Sequence, residues 1–159
     1  MKITIIAVGK IKESFIKKGI DEYVKRLRRF CNIDIIEVGD EQAPESLSPA
    51  QEDKVKETEG ERILKKVKPG SKVIALDVRG ISLDSVEFAD KINSYAISGN
   101  SHITFIIGGS LGLHKRVLDA ANEKLSLSRM TFPHQLTRLI LLEQIYRAFK
   151  IINGETYHK

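Results

Sequence analysis

The residues with chemistry to offer gather in two places. The first is "ITFIIGGSLGL" (103–113), an apolar, β-branched run that breaks on Gly108, Gly109 and Gly112. A strand that stops on glycines does so because its backbone turns sharply or lies close to something. The spacing does not fit the common phosphate motifs. A dinucleotide fingerprint sets G-x-G-x-x-G between the first strand and the first helix. Here the order is G-G-x-x-G late in the chain, and the first turn, "AVGKIKES", carries only Gly9. The terminal Gly-Lys-Ser/Thr of a P-loop is absent as well. The second place is the polar tail "GETYHK", where His158 either decorates a mobile end or swings over a site.

The usual catalytic sets do not occur. There is no HExxH motif, no cysteine–histidine cluster and no G-x-S-x-G elbow, so neither a metal nor a serine nucleophile is expected. The single cysteine, Cys31, excludes an internal disulfide and reads as a small buried hydrophobe at the start of a strand. His102, His114 and His134 are scattered, and an isolated histidine is more often structural than catalytic. Arg147 sits on the polar remainder of an apolar helix, three residues after Gln144. It either faces a cavity or partner subunit, or makes a structural ion pair.

The elements that position these residues alternate in type. Strands are predicted over 2–8, 32–38, 72–78, 103–107 and 124–128. Helical spacing is predicted over 11–30, from Pro49 to about 68, from 85 to about 99, over 114–121, and from Pro133 to the stop at Gly154. Ser48 with Gln51, and Asp84 with Glu87, are capping-box pairs. The acidic stretch "GDEQAPESLS" (39–48) is the only linker-like segment. Five β-then-α units in 159 residues imply one α/β domain, 1–159, with a mainly parallel sheet and helices on both faces. Ligands of such sheets bind at the carboxyl ends of strands. The rule brings "GGSLGL", the loop after Asp77 and the loop after Ser128 to one pocket. The last helix is apolar on more than one face, which predicts burial against a second subunit through residues such as Ile145 and Phe149.

The formal charge is +5, and it is local: Lys10 to Arg29 holds eight basic residues against three acidic ones, and the remainder balances. Lys17, Lys18, Arg28 and Arg29 are therefore candidate contacts to a polyanion such as RNA; the alternative is a solvated helix face. No apolar run is long enough for a membrane span and no signal peptide is evident, so a cytoplasmic, reducing setting is expected. A glycine-lined pocket, a basic face and little reactive side-chain chemistry suit methyl transfer from S-adenosylmethionine, whose activated methyl needs chiefly positioning and a deprotonated nucleophile. A non-catalytic RNA-binding module and a small flavodoxin-like nucleotide binder are the alternatives. The first leaves the glycine loop without a role, and the second lacks a phosphate loop after its first strand.

"FIIGGSLGL" (105–113), "LSLSRMTFPHQLTRLILLEQIYRAFKI" (125–151), the ending "YHK", the opening "KITIIAVGKIKESF" and "DEQAPESLS" together resemble the ribosomal RNA large subunit methyltransferase H family. These are minimal members of the SPOUT class of knotted methyltransferases. The resemblance covers essentially the whole chain. It implies a homodimer with a trefoil knot in the carboxyl-terminal half, acting on N3 of a pseudouridine in helix 69 of 23S ribosomal RNA within the assembled 70S ribosome. It further implies a cofactor pocket made by Leu76, Gly108, Leu127, Ser128, Arg129, Met130, Thr131 and Phe132. Arg147, Tyr157 and His158 become the catalytic candidates, with His158 a possible proton acceptor.

Overall fold

The computed structural model describes residues 1–159. Its elements follow the order β1 (Lys2–Val8), α1 (Ser14–Leu27), β2 (Asn32–Val38), α2 (Pro49–Leu64), β3 (Lys72–Ser82), α3 (Ser85–Ile97), β4 (His102–Ile107), α4 (Lys115–Ala120), β5 (Glu123–Ser126) and α5 (His134–Ile152). All strand pairs are parallel, in the order β2-β1-β4-β3-β5. The interior strand β1 is buried from Ile3 to Val8 without alternation, because helices cover both faces.

Each face has its own core. Ile3, Ile5, Ile103 and Phe105 pack under α1, α3 and α5 with Ile20, Phe88, Leu142 and Ile145. On the opposite face Ile6, Val8 and Ile106 meet Ile63 of α2 and Val117 of α4. Both expected capping boxes are formed: Ser48 Oγ accepts from Gln51 N–H at 3.2 Å, and Asp84 Oδ1 from Glu87 N–H at 2.8 Å. No helix is long and apolar enough to cross a membrane.

Three expectations need correction. β3 runs four residues past the predicted end, to Ser82, with its pairing to β5 broken between Leu76 and Ile81. Gly80 makes this possible, since a Cβ there would lie 2.6 Å from the Lys124 carbonyl carbon and 2.7 Å from Leu125 N. β5 in turn ends at Ser126, and residues 127–128 leave the sheet instead of extending it. Finally, Ile145 is fully buried and Phe149 nearly so inside this chain's own core. The multi-faced apolarity of α5 comes from packing on α1, α3 and the sheet, so these two residues are not available to a second subunit.

Candidate active site

The carboxyl ends of β3, β4 and β5 and the first turn of α5 enclose a cavity of about 710 Å³. Four stretches form most of its wall: 76–79, 107–113, 125–133 apart from Ser126 and Arg129, and the α5 residues His134 and Thr137. The strand-end rule places the first three correctly. Lys56 of α2, His134 and Thr137 were missed, because a tertiary neighbour leaves no local signal in the sequence.

The glycine loop is held by its own packing. A Cβ at Gly108 would come within 2.8 Å of the Gly112 carbonyl carbon and 2.9 Å of its oxygen. Gly112 lies at φ +88, where a side chain is strained, and its N–H donates to Gly109 O at 3.1 Å. A Cβ at Gly109 would meet Glu59 Oε1 at 3.1 Å. The backbone of 108–112 therefore folds against itself and against α2, and presents peptide groups to the cavity. Glu59 is buried, with Oε2 accepting from Glu41 N–H at 3.0 Å. Burial, reinforced by Asp40 and Glu41, pushes its carboxyl above the ordinary range against the pull of that hydrogen bond and Arg62.

Opposite, Ser126 Oγ donates to Ser128 O and Ser128 Oγ accepts from Met130 N–H, both at 2.9 Å, which curls the chain around the mouth. Leu76, Gly108, Leu127, Ser128, Met130, Thr131 and Phe132 all line the cavity; Arg129 is exposed and points outside its lining. Met130 stands 75% exposed at the rim.

His134 opens α5 and lines the cavity. Burial is the largest influence on its ring, followed by the Arg138 cation. Together with Lys12 they lower its pKa against the opposing pull of Asp40, which favours the neutral imidazole. Arg138 is itself buried, donating to Glu37 Oε2 at 2.6 Å and to Gly9 O at 3.1 Å, with its Nε left without a partner.

Arg147, Tyr157 and His158 do come together, at the far end of α5. Arg147 Nη2 donates to Glu143 Oε1 at 2.6 Å, and its Nη1 donates to His158 Nδ1 at 3.1 Å. Tyr157 donates to the same Glu143 oxygen at 3.2 Å, packs edge-on against Tyr146 and lies 4.8 Å from the Arg147 guanidinium. Burial, then a hydrogen bond with Tyr23 and the Glu143 charge, raise the Tyr157 hydroxyl, so it stays protonated. None of the three lines the cavity. On the basic face Lys17, Lys18 and Arg28 are exposed and form no ion pair. Arg29 is paired with Glu155 and stacks 4.4 Å from the Phe30 ring.

The family model described as "Predicted SPOUT methyltransferase" matches residues 1–158. The chain belongs to the SPOUT methyltransferase family. A ribosomal RNA large subunit methyltransferase H from Acetivibrio thermocellus is 61% identical over 159 residues, covering all of both chains. Its counterpart from Carboxydothermus hydrogenoformans is 62% identical, again over the full length of both. A solved structure, a probable methylase family protein from Haemophilus influenzae, shares the fold with a TM-score of 0.53 at 15% identity, over 99% of this chain and 70% of that one. Within this SPOUT family the carboxyl-terminal half is knotted.

Proposed function

We propose that this chain transfers the methyl group of S-adenosylmethionine to N3 of a pseudouridine in helix 69 of 23S ribosomal RNA, in the assembled 70S ribosome, as a cytoplasmic homodimer. The observation that carries the reading is the cavity at the strand ends. Its size suits a nucleoside-sized ligand, for which pockets of roughly 300–1,000 Å³ are usual. Its wall is mostly apolar side chains interleaved with the turned peptide groups of 108–112 and 126–132. Leu76, Gly108, Leu127, Ser128, Met130, Thr131 and Phe132 would hold the donor, with Arg129 beside the mouth. When bound, the donor supplies a methyl already activated on a sulfonium, so the protein's tasks are alignment and removal of the imino proton. The near-identical length and high identity to curated ribosomal RNA methyltransferases support the substrate.

A distance supports the dimer. Thirteen residues of α5 separate His134, on the cavity wall, from Arg147; at 1.5 Å per residue that is ~20 Å along the helix. A tail anchored there serves its own cavity poorly, so the Arg147–Tyr157–His158 cluster is assigned to the partner's cavity. Lys17, Lys18 and Arg28 supply the free cations for RNA phosphates, and Arg29 joins them only if Glu155 lets go.

The test is mass spectrometry of large-subunit RNA from cells with and without this gene, paired with calorimetry of the purified protein against S-adenosylmethionine. Loss of one methyl on the helix 69 pseudouridine, together with saturable binding, is expected. An unchanged methylation pattern defeats the reading, and RNA binding without donor binding would favour a non-catalytic module.

A further inference from the structure

The four histidines differ in what their ring nitrogens are doing. His102 Nε2 is hydrogen-bonded to Thr4 Oγ1 at 2.9 Å, at the amino end of the sheet. His114 Nδ1 accepts from Arg116 N–H at 3.1 Å and its Nε2 faces Asp53 at 3.5 Å. His158 Nδ1 faces Arg147 Nη1 at 3.1 Å, and a guanidinium only donates, so the lone pair of a neutral His158 is already taken. His134 alone makes no hydrogen bond or ion pair, and it alone lines the cavity. It lies across the β1 turn, its Nε2 4.0 Å from where a Cβ on Gly9 would be.

Resting on the methyl-transfer reading above, we propose that His134 is the proton acceptor of the reaction. The N3–H bond of the target base breaks toward a free His134 nitrogen. The electron pair left on N3 forms the new bond to the methyl carbon, and the carbon–sulfur bond breaks with its pair going to sulfur. The products are the N3-methyl base, a neutral thioether and an imidazolium that returns its proton to water.

Three features of the fold suit His134 to this. It is the first residue of α5, where the positive end of the helix disfavours a resident cation. The groups facing it are Arg138 from its own helix, Lys12 from the β1–α1 loop and Asp40 from the segment after β2. With burial, the balance keeps the ring neutral, ready to accept. Arg138 is locked on Glu37 and Gly9 O and is therefore a positioning residue that holds this turn of α5 over the end of β1.

The test combines three measurements on wild type, His134→Gln and His134→Ala: calorimetry with S-adenosylmethionine, single-turnover methyl transfer to intact ribosomes from pH 5 to 9, and NMR titration of the His134 ring in the free protein. His134→Gln is expected to slow transfer by about 100-fold. Donor affinity should stay within about threefold, and added imidazole should partly restore His134→Ala. The wild-type rate should fall on acidification with an apparent pKa below the ordinary histidine value, matching the NMR titration, and this limb should vanish in both variants. A His134→Gln protein that transfers at the wild-type rate, or keeps the acid limb, overturns the assignment. So does a ring that is charged at neutral pH, or a variant whose donor binding fails in step with transfer. Wild type that neither binds the donor nor transfers methyl would instead defeat the methyl-transfer reading, and the proposal with it.

Discussion

The cavity at the strand ends and the cluster at the end of α5 are built on opposite plans. Around the cavity the chain turns on glycines and short serine hydrogen bonds, the wall is largely apolar, and one neutral histidine is left unbonded. At the other end of the same helix Glu143, Arg147, Tyr157 and His158 satisfy one another, and Lys150 and Arg29 clamp Glu155. The first region works by shape: its ligand must fit the backbone. The second works by charge, and its groups are held until something with a better claim arrives. On the proposed reading an activated donor is matched by the former and an anionic RNA by the latter.

The largest effect should come from disrupting α5, the helix that spans both regions. Ile145→Asp puts a carboxylate into the core and should cost about 4 kcal/mol or more. Circular dichroism melting should show no cooperative transition. A folded, dissociated monomer would mean that Ile145 belongs to an interface after all.

Next in size is Gly108→Val, which forces side-chain atoms into the Gly112 carbonyl. Donor affinity by calorimetry should fall by roughly 100-fold or more, as expected when a ~3 kcal/mol packing conflict is placed in a ligand loop. Gly109→Ala meets only side-chain atoms, the Glu59 carboxylate at 3.1 Å and Val8 Cγ1 at 3.2 Å, and should lose less. Equal losses would show that the loop's own fold is not what the glycine protects.

On the charge side, replacing Lys17, Lys18 and Arg28 by glutamine should leave donor affinity intact. The logarithmic salt dependence of ribosome binding should flatten by about 2–3. Arg29→Gln alone should change it less, since Glu155 already holds that cation.

The smallest effect sharpens the account of the loop's support. The Glu59 carboxyl is raised by burial, so its folded form prefers the proton. Whatever stability that state contributes is complete at acid pH and lost as pH rises through the raised value. Glu59→Gln keeps an acceptor for Glu41 N–H without the charge. Its melting temperature should be higher than wild type by ~1–3 °C at pH 8, with the gain disappearing near pH 4. A gain that persists at pH 4 would mean that the buried charge is not the cause.

Much of this was legible in the sequence because it is local. Helical apolar spacing marks α1, short apolar runs mark β1 and β3, and the caps at Ser48 and Asp84 give the starts of α2 and α3 almost to the residue. What was missed depends on distant partners. "RGIS" (79–82) reads as a loop until Gly80 meets the Lys124 backbone. The apolar faces of α5 look the same whether a second subunit or α1 and α3 cover them. Arg29 looks like its free neighbours until Glu155, 126 residues on, takes it. His134 carries no motif; only the cavity wall and the absence of a bonding partner single it out. A knot has no local signature, since threading is a relation between segments.

On the proposed reading, one chain's cavity and the partner's tail make a single methylating site. This is tested most directly by mixing two dead proteins: Gly108→Val, with the cavity blocked, and a chain lacking residues 157–159. At a donor concentration that fills the wild-type cavity but not the Gly108→Val one, each alone should transfer little or no methyl to intact ribosomes. Unfolded together and refolded, random pairing leaves half the dimers mixed with one competent site each, so single-turnover transfer should return to about a quarter of the wild-type amplitude. Amplitude that stays at zero in the mixture, with dimers verified by analytical ultracentrifugation, would contradict the account.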